Sequence, residues 1–448
     1  MIDSILFWNL VALDAGKTDF SLPDPRPPGL VPQQPGPTFA SRALAIVHLA
    51  MYDAFVGIRG GGATYLDHGD ETLPGTHTLP AAQAAVAAAA CLTLIALYHR
   101  QKDALLRKHN EFVATLPGGD PSIAKGIAWG HRVAAAMLAE RSNDGAGASE
   151  EQYAPGLEAG RHRPDPYSPA QGFLGPLWGK VLPFGFNHIR RALTPLPDPL
   201  SLPEYAADFI QVAAKGRKTG STRTPDQTTV GLFWAYDGAR NIGVPPRLYN
   251  QLIRSIVQAK GTVTEAQNAR LFALANVAMA DAGIQAWFEK YRHNLWRPIV
   301  GIREADAGWG PTGQGDGHAG TQGDPHWEPL GSPRTNSSGQ EAFTPNFPAY
   351  PSGHATFGAA ALRIVQTELG LADSFAFSFM SDEFNGDNAG ATGVRPKQVR
   401  QLTLSRAIEE NNLSRVYLGV HWLFDCRKGE QLGREIAAKL AAAFPARA

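Results

Sequence analysis

AAQAAVAAAACLTLIALY, residues 81–98, carries no charge over 18 positions, and nine of them are Ala. That length meets the threshold for a transmembrane candidate. Ala, however, is a weak membrane residue and the best helix former. The stretch therefore reads as a helix buried inside a bundle. No other stretch reads as a span, so a multi-span membrane protein is excluded at this level. Helical spacing recurs at 41–55, 123–142, 204–216, 247–260, 264–296, 354–370, 398–421 and 427–444, each bounded by Gly, Pro or polar residues. In SRALAIVHLAMYDAF (41–55), Leu44, Val47, Met51 and Ala54 share a face, and Ser41 is read as the N-cap. Alternating β-branched runs are nearly absent. The expected fold is all-α, two helical bundles with long Pro/Gly-rich loops.

The loops are conspicuous. Residues 23–38 hold seven prolines, and residues 305–340 hold nine glycines. Loops of that length in a compact domain are commonly functional. A third irregular segment, 145–203, is the expected join between an N-terminal bundle (1–203) and a C-terminal bundle (204–448). The active site is expected in the latter.

Composition narrows the function. The chain has 448 residues, with 41 Lys and Arg balancing 41 Asp and Glu. A net charge of zero argues against a general nucleic-acid binder. A hydrophobic fraction of 44% argues against disorder and suffices for a large core. Two cysteines, Cys91 and Cys426, cannot build a disulfide framework or a four-cysteine zinc site. The N-terminus, MIDSILFWNLVALDAG, lacks the basic region of a signal peptide. The expectation is a soluble chain, cytoplasmic or exported without an obvious signal. A homo-oligomer is left open.

Three motifs carry chemistry. In KYRHNLWRP, Lys290 and Arg297 are seven residues apart, nearly two helical turns or about 10.5 Å. On one helix face, both could reach one anion. In FPAYPSGHATFG (347–358), Ser352 sits at an N-cap, Gly353 lets a ligand approach the backbone, and His354 lies in the first turn. That is an anion nest with a proton carrier beside it. In SRVYLGVHWLFD (414–425), His421 and Asp425 have i,i+4 spacing. A carboxylate on one imidazole nitrogen leaves the other with its lone pair, as a nucleophile or metal ligand requires. Together the motifs supply three cations, a nest and two histidines. A tetrahedral oxyanion fits the set, whether a phosphoryl group in transfer or a metal oxyanion held five-coordinate.

KxxxxxxRP, PSGH and SRxxxxxHxxxD, in that order, resemble the superfamily shared by vanadium-dependent haloperoxidases and type-2 phosphatidic-acid or acid phosphatases. FWAYDG (233–238), IGVPPR (242–247) and FPAYPSGH (347–354) further resemble fungal chloroperoxidase-type vanadium enzymes and their bacterial relatives. The resemblance implies orthovanadate as prosthetic group and His421 as its axial vanadium ligand. Lys290, Arg297, Ser352, Gly353 and Arg415 would hold the equatorial oxygens. His354 would contact the cofactor as acid–base residue, with Lys290 and Asp237 assisting catalysis. Asp237 would support Arg415, Asp425 would orient His421, and Trp287 and Phe347 would form a halide pocket. The implied reaction oxidises halide with hydrogen peroxide to a hypohalous-acid-type species, with vanadate(V) as Lewis acid.

Bromide is the expected halide. Algal bromoperoxidases carry His where Phe347 stands, so Phe347 points toward chloride as well. No motif names an organic acceptor. Three other readings are open. One is a soluble acid phosphatase with a phosphohistidine at His421. Another is an inert oxyanion-binding helical protein. The third is a divalent-metal site at Asp316, His318, Asp324 and His326, whose spacing matches no firm metal pattern.

Overall fold

The computed structural model describes residues 2–25, 27, 29–69, 77–148, 153–185, 193–338 and 342–445. Parts of the expected irregular segments (149–152, 186–192, 339 and 340) lie outside these. Among the described residues are thirteen α-helices and only short antiparallel strand pairs. The helices are α1 (Ser4–Asp19), α2 (Gly36–Arg59), α3 (Leu79–Leu97), α4 (Lys102–Val113), α5 (Pro121–Glu140), α6 (Tyr205–Lys215) and α7 (Pro225–Phe233). They continue with α8 (Pro245–Lys260), α9 (Glu265–His293), α10 (Pro298–Glu304), α11 (Gly353–Leu369), α12 (Leu404–Tyr417) and α13 (Leu423–Ala443). The longest strands, Ala376–Met380 and Val399–Thr403, pair with Ala376 opposite Thr403. One apolar core runs continuously from Ile5 to Leu440.

The Ala-rich stretch is α3, and its Ala side chains are buried on nearly every face. Its composition follows from its neighbour. A Cβ on Gly126 or Gly130 of α5 would stand 2.2 Å from the carbonyl oxygen of Ala81 or Ala85. Backbones this close admit only Gly and Ala. Among the described residues three helices, not one, are long and apolar enough to cross a membrane: α2, α3 and α9. In their most apolar windows 89%, 72% and 94% of residues are buried inside the protein. Their apolarity is thus accounted for by the core.

Several local expectations are corrected. Residues 4–19, weighed above only as a leader, form a core helix capped by Asp3, with Ile5, Trp8 and Ala12 buried. Ser41 lies inside α2, which starts five residues earlier at Gly36; its hydroxyl bonds the Thr38 carbonyl. The stretch 398–421 is not one helix, because Val399–Thr403 pairs as a strand and α12 begins at Leu404. Cys91 and Cys426 are both buried and free.

One helix crossing positions the site. α13 passes under the start of α11, and Gly429 and Gly433 share the touching face. A Cβ on Gly433 would lie 2.3 Å from the Thr356 carbonyl oxygen, and one on Gly429 would lie 2.6 Å from that of Ser352. Gly433→Ala gains roughly 0.5–1 kcal/mol of helix propensity. Overpacking against rigid backbone costs about 1–3 kcal/mol. The clash should win, with a net loss on the order of 1–2 kcal/mol in chemical denaturation. An unchanged or raised midpoint would show that the two helices can part.

Candidate active site

The motifs converge, though not as the spacing suggested. α9 ends at His293, and Asn294 turns the chain left-handed at φ 55°. Arg297 is the N-cap residue of α10. Lys290 and Arg297 therefore do not share a helix; the turn between them aims both at one point. Lys290 Nζ donates to the carbonyls of Pro348, Ala349 and Pro351 at 2.5–3.0 Å. An ammonium has three hydrogens, so Lys290 pins the loop that carries Phe347 and Ser352. Arg297 ties the same loop through Nε to the Phe347 carbonyl (2.8 Å). Its Nη1 reaches the Val420 carbonyl (2.7 Å) and His421 Nε2 (3.0 Å).

That last contact fixes a tautomer. A guanidinium only donates, so Nε2 of His421 is the acceptor and the ring proton sits on Nδ1. Nδ1 in turn donates to Asp425 Oδ2 at 2.9 Å. His421 and Asp425 are not on one helix either. α12 stops at Tyr417, Gly419 is left-handed at φ 70°, and Trp422 caps α13. Asp425, in the first turn, reaches back to the Trp422 N–H (3.0 Å) and so meets His421. Burial raises the Asp425 carboxyl to about 8 against the pull of Lys290, the Trp422 N–H and Arg297, and Oδ2 is the oxygen that accepts the two N–H bonds, from His421 and Trp422. Burial, then Arg297, Lys290 and Arg415, hold the His421 imidazole far below its ordinary value. His421 is neutral, and its Nε2 lone pair accepts from Arg297 Nη1. Asp425→Ala should weaken oxyanion binding about 10–100-fold, the usual cost of losing such an orienting partner. Equilibrium titration with vanadate checks this, and less than a threefold change would mean that the ring is oriented otherwise.

Ser352 is the N-cap of α11, yet its hydroxyl makes no capping bond. Its N–H donates to the Asp425 carbonyl (2.9 Å), locking the nest to α13. Gly353 packs under Trp287, where a Cβ would lie 3.3 Å from the indole. His354 Nε2 lies 2.6 Å from the Ala235 carbonyl and 3.2 Å from Arg415 Nη1. Burial first, and Arg415 next, lower the His354 imidazole to about 3. Arg415 Nη2 pairs with Asp237 Oδ2 at 2.8 Å. Burial opposes ionisation of Asp237, but Arg415 and His354 outweigh it and the carboxyl sits below its usual range.

A tetrahedral oxyanion fits this cradle. Among the described residues, Arg297 Nη2, Arg415 Nε and Ser352 Oγ are buried polar atoms with no partner. The Gly353 N–H, first in its helix, has no intrahelical acceptor. Lys290, Arg297 and Arg415 are all buried, against the carboxylates of Asp237 and Asp425. Buried charge in excess is costly without a counter-ion, and a multiply charged anion supplies one. Above the floor opens a cavity of about 410 Å³ lined by His354, Arg415, His421, Trp287 and Phe347. The Trp287 and Phe347 rings stand 4.8 Å apart.

The N-terminal half contributes walls that the motifs did not reveal: Phe20, Pro32, Pro35 and Leu174 line the same cavity. The run of prolines at 23–38 was the available signal, read only as loop. Other unforeseen partners are the Ala235 carbonyl and Tyr249, whose hydroxyl donates to the His354 carbonyl at 2.7 Å. The Gly-rich loop gathers no metal cluster among the described residues. Asp316 accepts from His318 N–H and Thr321, and Asp324 from Arg217 and His326 N–H. These acids staple their own loop.

The chain is 32% identical to vanadium chloroperoxidase from Curvularia inaequalis, over 94% of this chain and 78% of that protein. It belongs to the vanadium chloroperoxidase family. Two family models agree: the vanadium chloroperoxidase N-terminal domain matches residues 2–173, and the VCPO second helical-bundle domain matches 270–446. The second family segment holds all three motifs. The fold is shared with a bacterial vanadium-dependent iodoperoxidase (TM-score 0.71, 21% identity, 97% of this chain and 95% of that one). It is also shared with the holo form of a bacterial vanadium-dependent chloroperoxidase (TM-score 0.62, 15% identity, 91% and 93%).

Proposed function

We propose that this vanadium chloroperoxidase relative is a vanadate-dependent haloperoxidase that oxidises halide with hydrogen peroxide. The observation that carries the reading is the set of unmet donors, Arg297 Nη2, Ser352 Oγ and Arg415 Nε, around the lone pair of His421 Nε2. Orthovanadate has oxygens for the donors and a metal for the lone pair. When bound, it supplies a Lewis-acidic vanadium(V) centre that activates peroxide toward halide.

The residues divide the remaining work. His421 would hold the vanadium through Nε2, oriented by Asp425. Arg297, Arg415, Ser352 and the Gly353 N–H neutralise and orient oxygen. Lys290 adds its charge through the loop that it pins. Asp237 holds Arg415 in place, and His354 holds or moves a proton at the cavity face. Trp287 and Phe347 give a halide an apolar wall beside cations, since Lys290 Nζ and Arg297 lie 5.2 and 4.8 Å from the Phe347 ring centre. The halide is bromide, and with Phe347 in this place chloride as well.

The test is side-by-side assay of one preparation. Vanadate-reconstituted protein should brominate a dye reporter with peroxide and bromide, and the apo form should hydrolyse para-nitrophenyl phosphate far more slowly. Phosphate hydrolysis without halogenation of any halide would assign the site to phosphoryl transfer through His421 instead.

A further inference from the structure

The active cavity is larger than its small reactants require. Peroxide and a halide ion fill a minor part of about 410 Å³, a volume within the roughly 300–1,000 Å³ of sites for organic ligands. Its charged groups are confined to the floor. Among the described lining residues the ionisable side chains are Asp237, His354, Arg415 and His421. Asp237 is taken by Arg415 at 2.8 Å. The unmet donors of the cradle are those that a seated oxyanion uses. A charged acceptor of either sign would find no partner above them, and burying an unpaired charge is costly.

The wall above the floor is apolar and built in advance. Pro32, Pro35, Pro37, Pro245 and Pro345 line it, and a proline has no N–H to leave unsatisfied against an apolar guest. The strap that carries the first three is clamped. Asp19 accepts from the N–H groups of Gln33 (2.7 Å) and Gln34 (2.8 Å), and Gln34 Nε2 donates to the Leu97 carbonyl at 2.8 Å. A wall held this way needs little ordering when a ligand arrives. Two amides are set into it, Gln171 and Asn346. The Gln171 amide is engaged by the Thr344 carbonyl and the Asp165 N–H, at 3.1 Å each. Asn346 Nδ2 donates to the Gln171 carbonyl at 3.2 Å, which turns its Oδ1 the other way. Asn346 is half-buried, and its Oδ1 accepts from none of the described residues. An amide oxygen only accepts, so it selects a guest with a hydrogen to donate. Phe347 follows directly in the chain, its ring 4.8 Å from that of Trp287.

We infer that the active cavity itself holds the organic acceptor, a neutral hydroxyarene of one or two rings whose O–H donates to Asn346 Oδ1 and whose ring packs on the proline and aromatic wall. This rests on the haloperoxidase reading for its chemistry. The bromine–oxygen bond of hypobromous acid breaks and a carbon–bromine bond forms at the ring. The ring hydrogen leaves as a proton, and the released hydroxide takes it up as water. A hydroxyarene is electron-rich, as this electrophilic step requires, and the wall holds it in the space where the oxidant is made. Without its O–H hydrogen, as the phenolate, it would turn an anion toward an acceptor oxygen.

The probes are 1-naphthol, naphthalene and 5-hydroxynaphthalene-1-sulfonate, titrated at neutral pH into vanadate-loaded protein. Wild type should bind 1-naphthol about 3–10-fold more tightly than naphthalene, the worth of one neutral hydrogen bond. It should bind the sulfonate at least about 10-fold more weakly than 1-naphthol, since the charge goes unpaired. Asn346→Leu should bring 1-naphthol to the naphthalene level. In turnover with bromide and peroxide, the bromination ratio of 1-naphthol to the sulfonate should exceed that given by reagent hypobromite, by a factor similar to the binding ratio. No binding of 1-naphthol by wild type, an equal affinity for the sulfonate, or an unchanged 1-naphthol preference in folded Asn346→Leu overturns the inference. So does a product ratio equal to that of the reagent, which would place bromination outside the cavity. If Asn346→Leu does not fold, the three probes on wild type and the product ratio decide. Binding that follows Asn346 in a protein unable to oxidise bromide would refute the haloperoxidase reading and keep the hydroxyarene site.

Discussion

His421→Ala should leave a folded protein that no longer retains vanadium through gel filtration. Every other group at the floor of the site offers hydrogens: the guanidinium ions of Arg297 and Arg415, the Ser352 hydroxyl and the Gly353 N–H. Among the groups that meet at the cradle, the His421 Nε2 offers a ring-nitrogen lone pair, and the hydrogen bond from Arg297 establishes that it does. Without it, the cradle still attracts anions by charge. It then treats vanadate and phosphate alike, as exchangeable guests. The expected loss in vanadate affinity is at least about 1,000-fold, about 4 kcal/mol, with bromide oxidation falling in step. Phosphate affinity, measured by competition, should change far less. Element analysis of the filtered protein decides the matter. Vanadium retained at wild-type stoichiometry would mean that His421 is not the residue that holds it.

The site was legible in the sequence to the extent that its geometry is local. PSGH places a cap residue, a glycine and a histidine within one helical turn, and α11 does start there. The His421–Asp425 pair was legible as a pair, yet its geometry is that of a cap reaching back, since Gly419 ends the preceding helix. KYRHNLWRP was misread as one continuous helix although the signals were present. Asn294 is a residue type that tolerates the left-handed turn after a helix. Arg297 precedes Pro298, and a residue before proline is driven out of the helical region. Val399–Thr403 went unread as a strand because five residues beside a helical pattern carry too weak a period. Phe20 and the prolines at 32 and 35 come to line one cavity with Trp287 and Phe347 only after the core closes, and no spacing encodes that convergence.

His354→Ala should separate binding from turnover, and it complements the first result. His354 is not among the residues bonded to His421, so vanadium retention should stay near the wild-type level. Bromide oxidation should fall by about 10²–10⁴-fold, the usual worth of a positioned proton carrier. The imidazole sits at about 3, through burial and then Arg415. A lowered value means that the neutral form dominates at every pH above about 3, so the ring begins as a base, though a weak one. A bound oxyanion changes that balance. Negative charge beside Arg415 offsets the cation's repulsion and raises the imidazole toward the range where proton transfer is efficient. Protonation of His354 should therefore shape the acid limb of the kcat profile in the loaded enzyme, and the alanine variant should lose that limb. Wild-type activity in His354→Ala would exclude the proton role. Loss of vanadium as complete as in His421→Ala would instead make His354 part of the anion cradle, with Arg415 and the Ala235 carbonyl as the partners that hold it there.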